Sequence, residues 1–242
     1  MAKSLASPSP VLSSGFSKVS PDGAAMSLQG AVAKSAFLAA IVMLTAVFSY
    51  VSNIPSSLIT GSLIAGIVLV IIITLRPHRA PYLAPVYAIV EGVALGGISL
   101  WYSKTYGGDI IINSLGLTAG VFLALLFLYA SRLIKVTQNF MLAVYASVLG
   151  IMVYYGASIL ASFFGATLPL VSSASPLGIL FSVFVVGVAS ASLVMDFDHI
   201  EKGAELGYPK YMEWYSAFGL LVTLIWLYLE ILRLLAKLNR RN

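Results

Sequence analysis

The sequence predicts an all-α membrane protein, a bundle of seven transmembrane helices. Three observations carry this reading: seven apolar stretches of bilayer length, a scarcity of charge, and prolines confined to the edges of those stretches. Of the 242 residues, 60% are hydrophobic and 10% are charged, whereas a soluble domain carries roughly 25% charged residues. One soluble core of this size cannot hide so much apolar surface, so the excess faces a lipid bilayer.

Residues 1–33 are rich in Ser, Pro, Gly and Ala and read as a mobile N-terminal tail. A signal peptide fits poorly, because the first apolar run begins only near Ala36 and is as long as a true span. The tail's Ser-rich, nearly acid-free composition also has the bias of an organelle transit peptide. The seven stretches lie near 35–54, 57–75, 81–102, 109–130, 140–164, 176–196 and 212–236, forming one transmembrane domain over 34–242. Pro55, Pro77, Pro81, Pro169, Pro176 and Pro209 bracket them, and Pro85 sits early in the third, where a helix tolerates proline. Small residues four apart, Gly92 with Gly96, Gly116 with Gly120 and Gly187 with Ala191, suit close helix packing.

Orientation follows the basic residues of short loops. One side collects Lys34, Arg76, Arg79, Arg132, Lys135, Lys202 and Lys210, and the other only Lys104, which places the N-terminus in the cytoplasm. Seven crossings then strand Lys237, Arg240 and Arg241 outside, so the last helix either crosses against this rule or re-enters and returns. With basic residues placed as membrane topology places them, the net charge of +5 is no sign of nucleic-acid binding.

Cysteine is absent, which excludes thiolate catalysis and cysteine metal sites. His78 and His199 fall in expected loops without zinc-site spacing. Every lysine lies in a tail, a loop or a span edge, which excludes a retinal Schiff base within the bundle. An intramembrane aspartyl protease needs two deep aspartates, and Asp109 and Asp196 touch spans only at their edges. No enzymatic chemistry and no cofactor is expected.

Acids within spans are costly and are functional candidates by default. Glu91 lies about 15 Å into the third span at about 1.5 Å per residue, with no basic residue near it in that span. Asp196 ends the sixth span, where it either anchors the helix end or serves a conduction path. Glu230 lies in the last third of the seventh, with Arg233 at i+3 as an alternative partner. Glu213 opens that stretch and reads as solvated, as do Asp198, Glu201 and Glu205 on a loop face with Lys202. Helical spacing aligns Ser182, Ala189, Ser192 and Asp196 on one face, Ser216, Gly219, Thr223 and Glu230 on another, and Ala84, Tyr87, Glu91 and Ala94 on a third. Small, polar faces with one acid each suit a hydrated path for a hard cation such as calcium, or for protons.

The stretch M-D-F-D-H-I-E-K-G from Met195 and T-L-I-W-L-Y-L-E-I-L-R-L-L from Thr223 resemble the C-terminal signature of the Bax inhibitor-1 family, in its bacterial YccA-like branch. A-P-V-Y-A-I-V-E-G-V-A-L-G-G-I-S from Ala84 is similar to the same family. The resemblance implies seven helices with the last one central, a bacterial inner-membrane location, and pH-sensitive calcium leak. It also implies a latch in which two aspartates share a proton and hold the pore shut. Asp196 matches the first aspartate and Glu230 the second, and Arg76 matches the basic residue that pairs with them.

Two features depart from that pattern. Glu230 is one methylene longer than aspartate, with Arg233 beside it, and the connection between the two acids is long. A last helix beginning at Met212 would carry Glu230 about 27 Å along its axis, away from Asp196. The pair meets only if residues before about Gly219 form an interfacial segment, for which Tyr208, Tyr211, Trp214 and Tyr215 are suited. The alternative to a channel is a regulatory protein acting through a membrane-protein partner, such as a membrane protease or the stress and cell-death machinery.

Overall fold

The computed structural model describes residues 25–166, 168, 170 and 173–240. Among these, the chain forms helices α1 (Leu28–Ser52), α2 (Ser56–Leu75), α3 (Ala80–Tyr106), α4 (Asp109–Ala130), α5 (Gln138–Phe163), α6 (Pro176–Glu205) and α7 (Met212–Asn239), with a 3₁₀ turn at Pro77–Arg79. All seven are long and apolar enough to cross a bilayer, and the chain is an integral membrane protein.

Local chemistry sets the boundaries. The Ser27 hydroxyl caps α1 by accepting from the Gly30 N–H at 3.0 Å, and Thr137 caps α5 by accepting from Phe140 at 3.2 Å. Asn53 ends α1 in the left-handed region, and Pro55 precedes α2. Gly107, at φ 95°, makes the turn between α3 and α4, a conformation that a side chain would strain. The α1 start at Leu28 lies earlier than expected, so residues 25–33 are not tail; the rest of the expected tail lies outside the described residues.

Two compact units divide the chain. The first comprises the chain through Leu100 together with His199–Leu221. Here α1 meets α3 closely: a Cβ on Gly92 would lie 2.8 Å from the Val42 carbonyl oxygen, and one on Gly96 would strike that of Ala46. Beside them, the buried Ser49 hydroxyl donates to the Val93 carbonyl at 2.8 Å. The Tyr87 ring meets Phe218 edge-on at 5.0 Å. The second unit comprises Trp101–Asp198 and the chain from Val222 onward. Its core sets Ile151 of α5 against Val185 and Val188 of α6, with Tyr155, Phe181 and Trp226 packed around them. A Cβ added at Gly116, Gly120 or Gly187 would meet nothing within 4 Å, so these glycines make no close helix contact among the described residues.

Two boundaries change the reading of the acids. Helix α6 runs to Glu205, because the stretch after Asp196 continues as helix beyond the apolar run. Asp196, Asp198 and His199 are therefore helical, and Asp198 is buried rather than part of a solvated loop face. Helix α7 is unbroken from Met212 to Asn239, with no re-entrant turn. Its 28 residues extend about 42 Å at about 1.5 Å per residue, against a hydrocarbon core about 30 Å thick. It is the most buried of the seven, half of its most apolar window lying inside the protein.

Candidate functional site

The acids singled out in the sequence occupy three different environments. Glu91 sits partly buried on α3, where its Oε2 lies 2.6 Å from the position a Gly66 Cβ would take. The glycine on α2 thus makes room for the carboxylate. Tyr87, one turn earlier, is its electrostatic neighbour.

Asp196 lies well inside α6, not at its end, and the Thr223 hydroxyl of α7 hydrogen-bonds its carboxyl. Its Oδ2 is shielded from solvent and has no hydrogen-bond partner among the described residues. The small and polar face predicted on this helix is buried at Ser182 and Ala189. A carboxyl oxygen held away from water without a donor costs more than a satisfied one.

Glu230 is saturated by contrast. The Tyr155 hydroxyl of α5 donates to its carboxylate at 3.0 Å, and the Arg233 guanidinium donates at 2.9 Å. The same Arg233 nitrogen lies 2.6 Å from the Tyr155 hydroxyl oxygen, and its guanidinium stands over the Tyr155 ring at 4.9 Å. The local i+3 pair therefore forms, closed by an aromatic residue that the sequence does not single out; a lone Tyr in an apolar span carries no signal of its partner.

Asp196 and Glu230 do not share a proton in this arrangement. Asp196 meets α7 at Thr223, two turns before Glu230, or about 10 Å along the helix. The condition set by the sequence is resolved against a direct pair, because α7 begins at Met212 rather than near Gly219. Arg76 closes α2 and is exposed.

Glu213, expected to be solvated, is fully buried. Its carboxylate accepts from the Ser27 N–H at 2.8 Å and the Ser27 hydroxyl at 2.9 Å. It also pairs with Lys34 and with Lys210 at 2.8 Å. A Cβ on Gly30 would strike this carboxylate, so only glycine lets α1 approach it. Beside it, Met26 donates its N–H to the Tyr208 carbonyl at 2.6 Å, and Phe37 meets Trp214 edge-on. The segment leading into α1 is thereby fastened to the α6–α7 connection. Among the described residues, no group of three or more His, Asp or Glu side chains is arranged to hold a metal ion.

The chain matches the family described as Bax inhibitor 1 like over residues 9–240, nearly its whole length, and it belongs to that family. No curated protein matches it.

Proposed function

We propose that this member of the Bax inhibitor 1 like family is a pH-sensitive cation leak channel, passing calcium rather than catalysing covalent chemistry, with Asp196 as its titrating group. The observation that carries the reading is the Asp196 Oδ2, enclosed without a partner among the described residues, inside a helix long enough to span the bilayer. Ionisable groups in such positions mark ion and proton paths. When protonated, the carboxyl gains an O–H donor and loses its charge; when ionised, it is acceptor-only and draws water and cations. Either change acts directly on its contact with Thr223, and so on the seam between α6 and α7.

Glu230 serves this reading as a guarded oxygen site, open to a cation only when Arg233 swings away. Glu91, with space at Gly66 and no basic partner in its span, supplies a further carboxylate of the kind a hard cation prefers. A calcium ion would meet Asp196 and Glu230 singly, as transit requires, rather than in a cage. The charge bias of the loops supports a cytoplasmic N-terminus.

The test is calcium entry into proteoliposomes that contain only this protein, followed with a trapped indicator across a pH series. Flux that varies with pH in the wild type and loses that variation in Asp196→Asn supports the assignment. Absence of flux at every pH would sink the channel and leave action through a membrane-protein partner as the better reading.

A further inference from the structure

The far end of α7 carries a second feature, which shares only Arg233 with the proposed cation path. A cavity of about 210 Å³ opens there, lined by Trp101, Tyr102 and Tyr106 of α3 and by Arg233, Lys237 and Arg240 of α7. The three cations are spaced four and three apart, which stacks them on one helical face. No acid lines the cavity among the described residues. The carboxylate nearest in the chain, Glu230, is already engaged by Arg233 and Tyr155.

Among the described residues, the remaining two cations form no ion pair of their own, and Lys237 only shares the field of Glu230 with Arg233. Lys237 is only 4% exposed, and its ammonium donates to the neutral carbonyls of Leu170 at 2.7 Å and Gly178 at 2.9 Å. An ammonium has three donors, so one is left, and a buried charge is expensive without an opposing one. Arg240 lies over the Tyr106 ring at 5.4 Å, a stacking that uses the guanidinium face and leaves its N–H edge for a ligand. The Asn239 amide donates to the Tyr106 carbonyl at 3.0 Å, which pins the two walls together.

We propose that this cavity binds a phosphate-bearing anion. An exposed guanidinium edge at Arg240, on a cavity wall that also carries Lys237 and Arg233, matches the charge and the oxygens of phosphate. The length of α7 carries its last turn to the polar layer of the bilayer, where Trp and Tyr settle and where lipid headgroups present their phosphates. The same chemistry serves an anionic phospholipid or free phosphate.

Two arms separate these sources, using the full chain as wild type and as Arg240→Gln, a change at an exposed position. In the first, protein from vesicles of mixed phosphatidylcholine and phosphatidylglycerol is extracted, and bound lipids are counted by native mass spectrometry. Wild type should retain phosphatidylglycerol preferentially, and Arg240→Gln should lower that preference about fivefold, the factor expected for one interfacial cation. In the second, inorganic phosphate is titrated onto lipid-free protein in neutral detergent, with the melting temperature as readout. A response in the lipid arm alone assigns a headgroup, one in the phosphate arm alone assigns the free ion, and both together assign a headgroup recognised through its phosphate. Lys237→Met, if it folds, should weaken the same response. If neither arm shows binding, or if binding is unchanged in Arg240→Gln, the proposal fails.

Discussion

Glu213 and Glu230 stand on the same helix, are 0% and 1% exposed respectively, and are both matched by cations, yet they are built differently. Glu230 finds its cation three residues away on α7, a pair that an isolated helix can form. Among the described residues, Tyr155 alone hydrogen-bonds it from another helix. Glu213 draws Ser27 and Lys34 from the opposite end of the chain and Lys210 from the preceding connection. One acid decorates a helix, and the other closes the chain on itself. Asp196 is the third case, with a single hydroxyl partner and an oxygen left over.

The largest effect is expected where the partners are most distant. Glu213→Gln leaves Lys34 and Lys210 facing each other without a carboxylate and weakens two charged hydrogen bonds at once, a loss of about 3 kcal/mol. The thermal midpoint in mild detergent should fall most for this variant, and proteolysis should reach the segment around Ser27. Gly30→Ala should act in the same direction, since its methyl group meets the same carboxylate. A Glu213→Gln protein as stable as wild type would reduce the anchor to decoration.

Glu230→Gln should cost less, about 2 kcal/mol, the scale of a charged hydrogen bond, because the amide oxygen still accepts from Tyr155 and Arg233 is partly exposed. Adding Arg233→Met should recover part of the loss, as expected for directly coupled residues. Strictly additive losses in that cycle would mean the pair contributes no coupling.

Asp196→Asn should change stability by less than about 1 kcal/mol, since the shape is kept and Thr223 can still bond the amide. Its effect belongs in the pH profile of calcium flux, which should flatten. A flat profile for Glu230→Gln alongside an unchanged one for Asp196→Asn would transfer the titrating role to Glu230.

The fold was legible in the sequence because a bilayer filters on one property, an apolar run about 20 residues long, and proline marks where such runs stop. The limits of helices beyond the hydrocarbon were not. The stretch 197–205 is studded with charged residues and reads as a loop, yet it continues α6, since charge is tolerated once a helix leaves the lipid core. The site was partly legible: Asp196, Glu91 and Glu230 stand out as acids in apolar surroundings, and Arg233 follows from spacing. Glu213 was misread because its decisive partner lies 179 positions away. One signal was available, for odd-numbered spans all begin on the same side, and Lys34 and Glu213 each open such a span.

The smallest effect tests the same lesson on glycine. Gly96 and Gly116 each belong to a pair four residues apart, and the sequence treats them alike. Their surroundings differ: a methyl group on Gly96 would strike the Ala46 carbonyl, whereas one on Gly116 would meet nothing within 4 Å. Gly116→Ala should therefore stabilise the protein slightly, by about 0.5–1 kcal/mol, through the better helix propensity of alanine. Thermal unfolding in detergent at low protein concentration measures this directly. A loss of stability that grows with protein concentration would instead reveal that this face of α4 packs against a second copy of the chain.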